Sequence, residues 1–237
     1  MYQRYNRQRL EPQTDIETEK SLVFGLDLGS ISDYSALCVI EATRTISEGG
    51  KDEITRLDCV SLKRWALKTP YQQIVQEIVR KINNLDPFET PKQKILCIDT
   101  TGVGIAIADL FRAEKINAEF RAISITGGST VNTNGDVFFV PKRDLVGCVQ
   151  IALQNRLLKT SPALVEAATL MSELQNFKAT ISANGHDSYG AGSDWRVGNN
   201  DDLVLAAAMA IWCANRPPFR VSAAEKELFA ALAGNRY

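Results

Sequence analysis

Three segments of the chain place carboxylates at the edge of apolar runs. SLVFGLD ends on Asp27, KILCID ends on Asp99, and NNDDLVLAAAMAIWCA enters its apolar stretch through the adjacent pair Asp201 and Asp202. A carboxylate beside such a run is costly to bury unless a charge partner neutralises it. In α/β sheets ligands collect outside the carboxyl ends of parallel strands, so acids that end two strands can meet at one edge. Clustered anions repel, and a strong cation is what would keep them ionised together. Oxygen-only ligands suit Mg²⁺ or Mn²⁺. Two such ions about 3.5–4 Å apart activate water and stabilise the leaving oxygen in phosphodiester cleavage. Zinc is not indicated, because His186 is the single histidine and no two of the five cysteines form a CxxC pair. Each acid also has a plainer reading. Asp27 before Gly29 fits a turn, Asp99 before TTGVG fits a helix entry, and one of Asp201 and Asp202 fits an N-cap. A second carboxylate beside a cap is harder to explain structurally.

Other residues can support such chemistry. Asp33, in SISDYSAL, is either an outer acid of the metal site or a turn residue bonding its own backbone. Lys142 and Arg143 follow Pro141 at an expected helix N-terminus, where N–H groups favour anions, and can hold a DNA phosphate or balance the acids. Tyr189, Trp195 and Arg196 combine aromatic and basic side chains suited to contacting DNA. His186 has the chemistry of a general base but no evident partner. Gly102 and Gly104 allow a tight strand-to-helix turn. Arg4, Arg7 and Arg9 form a basic arm whose charge the rest of the tail offsets.

The elements that must position these residues follow from apolar periodicity. Ser21–Asp27, Tyr34–Glu41 and Glu53–Trp65 read as closely spaced strands of an antiparallel meander. Thr69 and Pro70 read as N-cap and first residue of a helix to about Asn84, with Ile74, Ile78 and Ile82 on its buried face. Lys94–Asp99 is a strand, 105–115 a helix and Ala118–Ile125 a strand. GGSTVNTNGDV has hairpin chemistry and leads into Phe138–Val140. Helices are expected from Pro141 to about Leu158 and over about 163–177, then a short strand over 178–182. The stretch ANGHDSYGAGSDWRVGNN reads as a loop, and Asp202 opens the last core helix. The sum is an α/β fold: a mixed sheet, meander first and β-α-β units after, with helices packed on it.

Composition fits that architecture. The 237 residues are 45% hydrophobic and 23% charged, enough for a sizeable core, and the net charge of −1 confines any nucleic-acid surface to a local patch. Residues 1–20 read as a flexible tail, 21–216 as the folded domain, and 217–237 as a tail whose Ser222 and Glu225 have capping-box spacing. The first segment lacks the apolar core of a signal peptide, and no stretch is long enough to span a bilayer. Cysteines placed singly in apolar stretches read as buried free thiols, which points to a reducing cytoplasm.

In order, GLDLGSISDYSALCVI, ILCIDTTGVGIAIADLF, VPKRDLVGCVQIAL, ELQNF, HDSYGA and NNDDLVLAAAMAIW resemble the nuclease domain of large terminase subunits, the DNA-packaging enzymes of tailed bacteriophages. The similarity runs from about residue 22 to 214. It implies an RNase H-like fold with helices on both faces of the sheet, and a two-metal endonuclease that cuts concatemeric phage DNA. On this resemblance Asp27, Asp99 and Asp202 are the catalytic metal ligands, with Asp201 as a neighbour sharing the duty. The implied partners are double-stranded DNA, a terminase ATPase motor, the small terminase subunit and the portal protein, in the cytoplasm of a host cell. The sequence departs from the family at two places. It carries no G-x-x-x-x-G-K-[ST] phosphate loop, so a motor is expected on another polypeptide or segment. Asn200 precedes the acid pair, and Leu205 and Ala206 follow where many relatives carry a further acid.

Three other readings compete. GLDLGS resembles the first phosphate loop of actin-like and sugar-kinase-like ATP-binding proteins, which need two related domains. A resolvase-like junction nuclease would prefer branched DNA. A non-catalytic packaging scaffold would use metal for stability alone.

Overall fold

A computed structural model describes residues 17–29, 33–46, 52–88, 91, 93–101, 104–176, 178–181, 187–190 and 201–216. The strands are β1 (Glu17–Asp27), β2 (Ala36–Ile46), β3 (Asp52–Arg64), β4 (Gln93–Asp99), β5 (Glu119–Thr126), β6 (Asn132–Asn134), β7 (Val137–Pro141), β8 (Leu158–Thr160), β9 (Lys178–Ile181) and β10 (Asp187–Gly190). The helices are α1 (Tyr71–Asn83), α2 (Gly104–Ala113), α3 (Lys142–Gln154), α4 (Ala167–Asn176) and α5 (Asp202–Ala214). Among the described residues these build an eight-stranded sheet, ordered β6-β7-β5-β4-β1-β2-β3-β8, and a two-stranded ribbon of β9 and β10.

The expected plan is present. β1, β2 and β3 form an antiparallel meander, while β4, β5 and β7 continue the sheet parallel to β1. The sheet is thus mixed, antiparallel within the meander and parallel from β1 through β7. Helices cover both faces because the central strands are apolar on both. In β1, Val23 points into the layer under α3, α4 and α5, and the adjacent Phe24 points into the layer under α1 and α2. The expected face of α1 is buried through Ile74, Val75, Ile78 and Ile82.

Helix α5 is buried almost all round, as its unbroken apolar sequence requires. It lies close against β1: a Cβ at Gly25 would stand 2.0 Å from the Ala206 carbonyl oxygen and 3.0 Å from the Ala210 nitrogen. Side chains from elsewhere satisfy the carbonyls at its C-terminal end. Arg44 Nη2 donates to the Ala214 oxygen at 2.6 Å, and the buried Arg121 donates through Nη1 to the Cys213 oxygen at 3.2 Å.

Several boundaries differ from expectation. β1 begins at Glu17, not Ser21, because Glu17–Lys20 pair with Thr43–Ile46 of a longer β2. Pro70, not Thr69, occupies the N-cap of α1; the Thr69 hydroxyl instead donates to the Ala66 carbonyl. α3 ends at Gln154, where Arg156 takes a positive φ of 55° and releases Leu158–Thr160 to pair in parallel with β3. The expected loop after β9 contains β10, a polar strand without apolar alternation. The hairpin of β6 and β7 turns at Gly135, whose φ of 62° suits glycine.

All five cysteines are free thiols, and Cys38 and Cys59 face each other with their sulfurs 3.7 Å apart. No helix among the described residues is long and apolar enough to cross a membrane. His186, Gly102, Trp195, Arg196, the basic N-terminal arm and the C-terminal capping box lie outside the described residues.

Candidate active site

β1 and β4 are parallel neighbours, with Leu26 and Ile98 as register partners, so Asp27 and Asp99 follow side by side at the carboxyl end of the sheet. Each strand runs apolar up to that last position because both faces are covered until the sheet edge. Asp27 is buried and Asp99 half-buried. The Asp99 turn is pinned to β5: Thr101 N–H donates to Asp99 Oδ1 at 2.7 Å, and the Thr101 hydroxyl accepts the Ile125 N–H at 2.9 Å. Beyond Asp27, Gly29 N–H donates to the Ser35 hydroxyl at 3.2 Å, and the Tyr71 hydroxyl donates to the Gly29 carbonyl at 2.7 Å.

The start of α5 brings the other acids to the same edge. Asp202 is buried, accepts a hydrogen bond from the Tyr34 backbone N–H, and leaves Oδ2 buried with no hydrogen-bond partner. Asp201 holds the N-cap position, but its side chain caps nothing. The expected aspartate is thus at the N-cap, but without the side-chain bond that a cap normally makes. Asp201 Oδ2 lies instead 3.7 Å from the ammonium of Lys142, the first residue of α3.

Electrostatics show that these acids act on one another. The Asp27 carboxyl is pushed well above its ordinary value, first by burial, then by Asp99, Asp202 and Asp201, while Lys142 pulls it down. Burial also raises Asp99, against the opposing hydrogen bonds of Thr101 and the charge of Lys142. Asp202 is raised to about 7, first by burial and then by Asp201 and Asp33, with Arg64 and the Tyr34 N–H opposing. Among the described residues, no three His, Cys, Asp or Glu side chains are arranged to hold one ion as they stand.

The sequence reading assigned no role to Glu173, although its segment ELQNF was among the family-like motifs. Its Oε2 accepts the backbone N–H groups of Leu203 at 2.9 Å and Val204 at 3.1 Å, so it caps α5 from α4. Burial first, then Asp202, lifts its carboxyl to about 7. The signal was present: Glu173 follows the buried Leu170 by three positions, a carboxylate on the apolar stripe of its helix. Arg64 was also unassigned. Its guanidinium stacks over Tyr34 at 4.6 Å and lies 3.5 Å from Glu166 and 3.8 Å from Glu173.

Asp33 is exposed, and with Gly29, Ser35, Lys68 and Tyr71 it lines a cavity of about 280 Å³. Arg143 turns to the loop before β6, donating to the Ser129 carbonyl at 2.7 Å. Tyr189 lies in β10, opposite Ala179.

No protein-family model matches the chain, and no curated protein matches it. Among solved structures it is similar to the nuclease domain of human cytomegalovirus terminase soaked with manganese. There the TM-score is 0.49 and the identity 14%, over 83% of this chain and 84% of that one. It is also similar to a mutant nuclease domain of the large terminase subunit of bacterial virus Sf6 with manganese. That match has a TM-score of 0.46 and an identity of 13%, over 84% of this chain and 90% of that one.

Proposed function

We propose that this chain is a metal-dependent endodeoxyribonuclease that cuts concatemeric phage DNA into packaged lengths. The observation that carries the reading is the acid cluster: buried and half-buried carboxylates from two adjacent strand ends and one helix start, each raised first by burial, with Asp202 Oδ2 buried and unpartnered. An all-carboxylate donor set fits Mg²⁺ or Mn²⁺ rather than zinc. Asp27, Asp99 and Asp202 are the ligands in this reading, with Asp201 beside them. When bound, a pair of divalent ions supplies an activated water and charge stabilisation for the departing 3′ oxygen.

The chain's own residues prepare that site. Burial at the sheet edge keeps bulk water from screening the acids. Thr101 and Tyr34 orient the Asp99 and Asp202 carboxylates through backbone N–H bonds. Lys142 and Arg64 balance the cluster from two sides. Lys142, Arg143, Tyr189, Trp195 and Arg196 are assigned to the DNA backbone, so cutting is largely indifferent to sequence and weakens with salt. Double-stranded DNA, a packaging motor, a small terminase subunit and a portal are the partners that the sequence resemblance implies.

The test is nicking and linearisation of supercoiled plasmid with Mg²⁺, Mn²⁺ or EDTA, beside Asp27→Asn, Asp99→Asn and Asp202→Asn checked for folding by circular dichroism. Cutting with metal alone, lost in all three variants and leaving 5′-phosphate ends, is the expected result. A folded wild type that leaves DNA intact in both metals rejects the proposal.

A further inference from the structure

The first turn of α5 has two acceptors competing for the same donors. A helix that begins at Asp202 with Asp201 at its N-cap would by default bond the Asp201 carboxylate to the N–H of its second or third residue, Leu203 or Val204. Both N–H groups go instead to Glu173 Oε2, at 2.9 and 3.1 Å. Asp201 makes no cap bond, and its Oδ2 faces Lys142 at 3.7 Å. Glu173 is fixed in turn: it is buried on the apolar face of α4, and its Oε1 lies 3.8 Å from Arg64 Nη1.

We propose that Glu173 is a positioning residue which caps α5 from the neighbouring helix and so frees the carboxylates of both Asp201 and Asp202 for metal; the metal half rests on the function proposed above. The exchange has a chemical reason. A carboxylate committed to two backbone amides has less lone-pair capacity and freedom for a cation, and a helix start left uncapped is unstable. Placing the cap on a residue from another helix removes that conflict. Either aspartate can then turn to an ion without leaving an amide of the first turn unsatisfied.

The experiment combines thermal melts in EDTA with Mn²⁺ titration calorimetry on wild type, Glu173→Ala, Glu173→Gln, Asp201→Ala and the Glu173→Ala/Asp201→Ala double variant. In EDTA, Asp201→Ala alone leaves Tm unchanged or slightly raised. In the Glu173→Ala background the same change lowers Tm by about 2–4 °C, because Asp201 has taken over the cap. Mn²⁺ affinity falls about tenfold or more in Glu173→Ala. It stays within about threefold of wild type in Glu173→Gln, whose amide oxygen still accepts both N–H bonds. Additive Tm effects, or a folded Glu173→Ala that binds Mn²⁺ like wild type, overturn the proposal. Should Glu173→Ala fail to fold, Glu173→Asp, one methylene shorter, replaces it with the same two readouts. A wild type that binds no Mn²⁺ sinks the metal-site reading, while the melts in EDTA still decide who caps α5.

Discussion

The ammonium of Lys142 lies 3.7 Å from Asp201 Oδ2, joining the first residue of α3 to the N-cap of α5. The same charge draws down the carboxyls of Asp27 and Asp99. One partly exposed cation therefore serves acids from three segments. Lys142→Ala is expected to lower the metal-free Tm by about 1–3 °C, the modest cost of a partly solvated ion pair. It should also enlarge the Tm rise that Mn²⁺ produces, since a competing cation has gone. Melts with EDTA and with Mn²⁺ read both effects.

The acids strain the metal-free fold. Asp27 and Asp202 are buried, and burial first, then neighbouring acids, raises both: Asp99, Asp202 and Asp201 for Asp27, Asp201 and Asp33 for Asp202. Asp27→Asn and Asp202→Asn each remove a buried ionisable carboxyl at nearly constant shape and should raise the metal-free Tm at pH 8 by about 2–4 °C. Both should abolish most of the Mn²⁺-dependent rise. A metal-free Tm that falls in both variants would show that the carboxylates are stabilising ion-pair members instead.

The pH dependence follows with its sign. Asp202 and Glu173 move from ordinary values of 3.8 and 4.5 to about 7 in the folded chain. Between about pH 4 and 7 the folded state therefore holds protons that the unfolded state has released. Below that window both states are protonated and no penalty exists; above it both are ionised and the penalty is complete. Metal-free stability should fall as pH rises from 4 to 7. Divalent metal should stabilise the protein more at pH 8 than at pH 5. Melting curves in EDTA and Mn²⁺ across that range test both statements.

Two glycines make a matched pair. A Cβ at Gly25 would meet backbone of α5 at 2.0 Å, whereas one at Gly147, within α3, meets nothing within 4 Å. Gly25→Ala must push α5 off β1 and should cost about 3 kcal/mol or more. Gly147→Ala should stabilise by about 0.5–1 kcal/mol through helix propensity alone. Urea unfolding of both variants provides the comparison.

How much was legible depended on the kind of signal. Asp27 and Asp99 could be read because each ends an apolar run that only a strand buried on both faces would carry, and the carboxyl edge of the sheet then follows. α5 was legible from its length of unbroken apolar residues. The cap was not, because Asp201 has the right residue type at the right position and local preference alone assigns it; Glu173, far off in sequence, wins those amides through packing. β8 and β10 were missed for a related reason. Leu158–Thr160 and Asp187–Gly190 are too short and too polar to announce strands, and each exists through its pairing partner.

Helix α5 closes the layer that Val23, Cys38, Ile40 and Cys97 would otherwise expose, although β1 and β2 are made near the start of the chain and α5 near residue 210. A nascent chain emerging from the ribosome must therefore carry an uncovered sheet face until almost the whole domain has been synthesised. Such high contact order slows folding and leaves the unfinished chain prone to aggregation. It also sets an order of events. The last core helix to arrive brings Asp201 and Asp202 with it, so the acid cluster cannot assemble before the fold that restrains it.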